Sequence, residues 1–142
     1  MTSVSVALII QALVFGDGGI TAIGANCVNM AIIMPVVAII AFKLIAGRSD
    51  KMIRLNIAAF FSGYVSLNIA AVITAIEFGI QPLIAVSNEG QPLYAPYPLK
   101  VAVPAMALEH LILFGFIEGI VTMLLFSYFY KSGKEMIYAI KK

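Results

Sequence analysis

Residues 55–78 read LNIAAFFSGYVSLNIAAVITAIEF, and this run decides the class of fold. It is 24 residues long and its only charge, Glu77, stands one residue from its end. An α-helix of about 20 residues crosses roughly 30 Å of hydrocarbon, so this run predicts a membrane-spanning helix. Working outward, the apolar runs at 24–46 and 104–130 are long enough to do the same. A further run from Thr2 to Phe15 has 14 residues, which at about 1.5 Å each reach only roughly 21 Å and do not cross. The expected fold is an all-α, polytopic membrane helix bundle with three full transmembrane helices and a shortened first one. The whole chain, 1–142, reads as a single membrane domain.

Composition points the same way. Hydrophobic residues make up 62% of the chain and charged residues 11%, and mean hydropathy is +1.03. A soluble domain carries about a quarter charged residues to keep its surface wet, so lipid is the solvent expected here. The net charge of +2 is mild, and the basic residues gather in two places rather than along a nucleic-acid-binding face. Lys43, Arg48, Lys51 and Arg54 surround the connection between the second and third runs, and Lys131, Lys134, Lys141 and Lys142 lie in the tail. Both regions fall on one side if the long runs alternate, and the positive-inside rule makes that side cytoplasmic. The connection 16–24 and the loop 79–103 then face outward. That loop holds Pro82, Pro92, Pro96 and Pro98, with Tyr94 and Tyr97 suited to headgroup level, and reads as an ordered lid or interfacial loop. A single cysteine, Cys27, excludes an internal disulfide.

Local signals refine the bundle. Ala59-x-x-x-Gly63 and Gly115-x-x-x-Gly119 put small residues on one helix face, where backbones can approach closely. Pro35, in the middle of the second run, predicts a kink. Pro104 is expected in the first turn of the last helix, where its missing N–H would have no partner in any case.

Polar groups inside these runs need a partner or a purpose, because hydrocarbon solvates neither. Gly16-Asp17-Gly18-Gly19-Ile20-Thr21 is a tight polar turn, followed by Asn26 and Asn29, three residues apart on one helix face. The set reads either as the wall of a polar pocket near the outer surface or as a capping turn with interhelical hydrogen bonds. Glu77 and Asn68 belong to the third run, and Glu109, His110 and Glu118 to the last. Glu118 lies near mid-bilayer and must face protein. His110 is the only histidine, and a transition-metal site usually needs three or four N, O or S ligands, so it reads as a hydrogen-bonding residue. Glu118 and His110 are eight residues apart, about 12 Å along a helix axis, too far for an acid–base pair. No Gly-x-Ser-x-Gly, His-Glu-x-x-His or Walker motif occurs, so no catalytic residue is assigned and no enzyme is expected.

The stretch from Gln11 through Phe15-Gly16-Asp17-Gly18-Gly19-Ile20-Thr21 to Ala25-Asn26-Cys27-Val28-Asn29-Met30-Ala31 resembles the signature of cobalt/nickel permease subunits of the CbiM/NikM type. Glu109-His110-Leu111, Gly115 and Glu118-Gly119-Ile120-Val121-Thr122 resemble the last block of the same family. These subunits are the substrate-binding S components of energy-coupling factor transporters, and the resemblance covers essentially the whole chain. It implies transport of Co²⁺ or Ni²⁺ across a prokaryotic plasma membrane, with no bound cofactor. The implied partners are a transmembrane coupling (T) protein, cytoplasmic ATPase subunits, and either a small accessory membrane subunit or a missing N-terminal portion.

The family's Met-His-Ile-Pro-Asp-Gly-like start and its second ligand histidine have no counterpart here, since residue 2 is Thr2 and the one histidine matches the late block. The expectation is therefore the C-terminal portion of such a subunit, with no direct metal ligand transferable to this sequence. Asp17, Asn26, Asn29, His110 and Glu118 match family positions as pocket-shaping candidates, with Asp17 suited to orienting a ligand histidine. Packing between helices competes with that role for His110 and Glu118. The alternative function is a truncated or split membrane module that joins the transporter partners without binding metal itself.

Overall fold

The computed structural model describes residues 2–16 and 19–140. The pocket role expected of Asp17, and the terminal Lys141 and Lys142, lie outside the described residues, as does the side chain of Lys134. A short helix, Thr2–Val14, precedes three helices long and apolar enough to cross a membrane: a first span Ile20–Ala46, a second Met52–Ile84 and a third Leu99–Gly133. The helical membrane bundle expected from the apolar runs is therefore what forms. In hydrocarbon only internal hydrogen bonding satisfies the backbone, and helices of mostly Ala, Ile, Leu, Val and Phe provide it. The 13 residues of the short helix rise only about 20 Å, and it packs against the start of the first span.

The second span lies at the centre and touches both of the others. Its buried positions are almost all small: Ala58, Ala59, Ser62, Gly63, Ser66, Ala70, Ala71 and Ala75. Lipid offers no hydrophobic drive between helices, so close van der Waals approach of small residues has to hold them together. The two small-residue motifs meet here. A Cβ added at Gly63 would fall 2.6 Å from Thr122 Oγ1 and 3.1 Å from the carbonyl oxygen of Glu118, and one at Gly119 would fall 2.9 Å from both the ring and the carbonyl oxygen of Phe60. Gly115 makes room for Asn68 and Tyr64, and Ala59 is buried. The serines of this seam satisfy their own hydroxyls on the preceding turn, Ser62 donating to Ala59 O (2.8 Å) and Ser66 to Gly63 O (3.1 Å).

Aromatic rings close the gaps beside the seam. Tyr64 meets Phe116 edge-on with centroids 5.1 Å apart, and Phe42 meets Phe126 at 5.2 Å near the opposite end. At that end a polar link also joins the helices, Ser127 donating to Asn56 Oδ1 at 2.8 Å. Gly47 turns the chain out of the first span with φ 57°, and Arg54 Nε donates to the Ile45 carbonyl at 2.9 Å, placing a cation on the negative end of that helix.

One expectation from proline changes. The last helix begins at Leu99, with Pro98 as its cap, and Pro104 lies inside it rather than in its first turn. Pro98 O accepts from the N–H groups of Val101 (2.8 Å) and Ala102 (3.0 Å), so the helix nucleates on the earlier proline and simply forgoes the one bond Pro104 cannot make. Around Pro35 the irregularity takes the form of a π turn, Asn29–Ile33, just before the α-helical stretch Met34–Ala46. The third span carries a second π turn, His110–Phe114. Such a turn inserts a residue and leaves a carbonyl short of its usual partner, and the Tyr64 hydroxyl donates to Leu111 O there at 3.0 Å.

Between the second and third spans the loop is ordered. One helical turn, Gln81–Ile84, leads into a small hairpin in which Ser87 N–H donates to Gln91 O (2.8 Å) and Leu93 N–H to Ala85 O (2.9 Å).

Two stability changes follow, each measurable by thermal melting in detergent with circular dichroism. Gly63→Leu should wedge the second and third spans apart and destabilise the protein by about 1–3 kcal/mol, whereas Gly133→Ala, where a Cβ meets nothing within 4 Å, should leave it unchanged or slightly raised. Tyr64→Phe, which keeps the ring and removes the hydroxyl from Leu111 O, should cost about 1–2 kcal/mol.

Candidate functional site

The polar residues converge where the first span begins and the second ends. Two glycines with positive φ, Gly16 (70°) and Gly19 (71°), bracket the turn from the short helix, a conformation that side chains with a Cβ rarely adopt. A single 3₁₀ turn, Ile20–Ala22, then starts the first span. Asn26 lies half-buried within the α-helical segment Ile23–Val28, and Asn29 opens the π turn.

Asn29 is the most fully committed of these side chains. It is 1% exposed, and its amide Nδ2 donates to Thr74 Oγ1 at 2.8 Å and to Glu77 Oε2 at 2.6 Å. The Thr74 hydroxyl donates to Ala70 O at 2.9 Å, so its oxygen is left to accept. These bonds fix which way the amide faces, because the flipped orientation would set Oδ1 against a carboxylate. Its Oδ1 is buried and has no hydrogen-bond partner among the described residues. The bond to Glu77 is the charge-assisted kind, roughly twice as strong as a neutral one.

Glu77 also lines a cleft of about 520 Å³, together with Thr21, Ala22, Ala25, Phe78 and Gln81. Tyr94, Ala95 and Pro96 of the loop cover one side of it. Gln81 is itself tied down, its Nε2 donating to Glu77 O at 3.2 Å. Phe78 and Ala95 also border a second, apolar cavity of about 370 Å³ against the start of the third span. The cleft therefore has one charged wall, supplied by a carboxylate of fixed position, and a lid of backbone and tyrosine. Carboxylate, amide and hydroxyl oxygens suit a cation. Among the described residues no group of three or more His, Cys, Asp or Glu could hold a metal ion by itself.

The pocket candidates among the described residues do not all line the cleft. Asn29 joins the cleft wall through Glu77. Neither His110 nor Glu118 lines the cleft. His110 Nδ1 bonds to Met106 O at 2.9 Å, and since a carbonyl only accepts, Nδ1 carries the proton. Glu118 Oε1 accepts from the Thr122 hydroxyl at 3.2 Å, beside the Gly63 contact. Both bonds stay within the third span. What sequence reasoning missed is Thr74 and the pairing of Glu77 with Asn29. The signal was an acid and a hydroxyl three residues apart near one end of an apolar run, but nothing local links them to an amide 48 residues away. Asn68 is a second buried amide, its Nδ2 donating to Tyr64 O at 2.7 Å while its Oδ1 has no partner among the described residues.

Several known proteins are similar to this chain. The fused nickel transport protein NikMN of Rhodobacter capsulatus is 51% identical over 136 residues, 95% of this chain and 39% of that protein. The probable fused nickel transport protein LarMN of Lactiplantibacillus plantarum is 40% identical over 136 residues, 96% of this chain and 40% of its own length. A crystal structure described as a transition metal transporter superposes with a TM-score of 0.82 at 45% identity, covering 96% of this chain and 59% of that one. The chain thus spans less than two thirds of each of these relatives. The family model for CbiM, the cobalt uptake substrate-specific transmembrane region, matches residues 1–136, and the chain belongs to that family.

Proposed function

We propose that this chain is the membrane-embedded substrate-specificity part of a cobalt or nickel uptake system of the energy-coupling factor type. The observation that carries the proposal is the cleft walled by Glu77 and backed by buried Asn29, set at one end of a lipid-solvated bundle. Relatives that are nickel transport proteins support the choice of substrate. Uptake needs an energy source, and this chain carries no nucleotide-binding motif. On this reading a transmembrane coupling protein and cytoplasmic ATPase subunits supply it.

Lys43, Arg48, Lys51 and Arg54 lie at the end of the bundle opposite the cleft, around the connection from Ala46 to Met52. The positive-inside rule puts that end in the cytoplasm of a prokaryotic cell and turns the cleft outward, where an imported cation arrives. The described residues shape and feed the metal pocket, and the direct ligands come from elsewhere: a further portion of polypeptide or a small accessory membrane subunit. The second reading is a truncated or split membrane module that assembles with the transport partners without holding metal itself.

The test is ATP-dependent uptake of radiolabelled Co²⁺ and Ni²⁺ by cells carrying the assembled transporter with this chain in it. Uptake is expected, and Asn29→Leu should reduce apparent metal affinity about tenfold, the usual cost of losing a supporting hydrogen bond around a metal pocket. Absence of uptake of either metal by the assembled wild-type complex would sink the proposal. Isothermal titration of the chain by itself should show only weak metal binding; tight one-to-one binding would refute the assignment of the ligands to other residues.

A further inference from the structure

We propose that Glu77 is the cation-collecting residue of the outer cleft, a carboxylate held in place by Asn29 so that divalent cations are drawn in before they reach their ligands. The inference rests on the uptake reading above and assigns a role to a residue that belongs to no metal-ligand cluster among the described residues. Three features support it. Glu77 is the only charged residue among the described residues that line the cleft, so its field there is uncompensated by a lining cation. Asn29 engages one of its two carboxylate oxygens, Oε2, and Thr74 and Ala70 fix Asn29 in turn. The carboxylate cannot swing away when a cation approaches, and it needs no reorganisation to meet one.

The third feature is the setting. The cleft has low-dielectric walls of Ala22, Ala25, Phe78 and Ala95. A cleft lined by one sign of charge with apolar walls focuses the field and raises the local concentration of the opposite ion. Such an effect acts on capture and not on a later conformational step, and exposed charges are screened over about 8 Å at physiological ionic strength. A purely structural Glu77, there only to satisfy Asn29, would behave differently. Glutamine in its place still offers Asn29 an acceptor oxygen and would leave capture alone.

The experiment is the concentration dependence of radiolabelled Ni²⁺ or Co²⁺ uptake by the assembled transporter, at low and at raised ionic strength. Glu77→Gln should raise the half-saturating metal concentration about fivefold at low salt, with the maximal rate retained and the difference shrinking as salt is added. Glu77→Asp should recover part of the loss. Glu89→Gln removes the same charge from an exposed hairpin residue outside the cleft lining and should change nothing. Gln81→Lys, which leaves the Asn29–Glu77 bond in place, should raise the half-saturating concentration comparably and provides the measurement if the Glu77 variant does not accumulate. Wild-type uptake with an unshifted Glu77→Gln or Gln81→Lys curve overturns this inference alone, as does an equal effect of Glu89→Gln. Failure of the wild type to take up either metal overturns the uptake reading and this inference with it.

Discussion

A polar group placed in hydrocarbon must find its partner inside the protein, and nearly every polar contact in this bundle follows from that constraint. The Ser62 and Ser66 hydroxyls turn back onto their own helix, Thr122 donates to Glu118, and His110 reaches Met106 O. Such local bonds cost little chain entropy and leave the helix faces dry. The contacts that join helices are fewer and more consequential. Ser127 to Asn56 ties the second and third spans near the basic end, and Asn29 to Thr74 and Glu77 ties the first to the second at the other. Between them Tyr64 donates to Leu111 O, and the rest of the seam relies on small residues and on the aromatic rings beside them.

The two π turns belong to the same economy of partners. Each interrupts the α-helical pattern locally beside the central span, which touches both turns. At Asn29–Ile33 the turn begins with the asparagine that reaches Glu77, and at His110–Phe114 a tyrosine of the central span meets the exposed carbonyl. Irregular helix geometry at membrane depth is tolerated where it is buried in protein or faces a cavity. Here it re-aims an amide into a polar network beside the cleft. Asn29 and Asn68, the buried amides whose oxygens have no hydrogen-bond partner among the described residues, belong to these surroundings: Asn29 opens one turn, and Asn68 packs on Gly115 immediately after the other.

The bundle itself was legible because its determinants are local. Run length and the scarcity of charge suffice to identify a spanning helix, and the short Thr2–Val14 helix fell below the needed length in the sequence as it does in space. Helix starts were less legible. Pro98 and Pro104 are both plausible beginnings by the same rule, and the choice between them rests on Pro98 O accepting two N–H groups. The kink signalled by Pro35 was readable as an irregularity, but not as a π turn, because that depends on which residue the neighbouring helix needs to meet.

By itself the sequence determined that the chain is a membrane bundle of three spans and a short helix, which polar residues lie within it, and the family it resembles. These follow from composition, run length and two contiguous blocks of residues. Only the tertiary structure decided which polar residues meet. Asn26, Asn29, His110 and Glu118 were all candidates for one pocket, yet Asn29 bonds to a residue lining the cleft, Glu77, while His110 and Glu118 make hydrogen bonds within their own helix. The physical reason is that helix rotation and packing depth set interhelical partners, and both depend on the small residues of the central span and the two π turns acting together. No local pattern encodes a distance across 48 residues of chain.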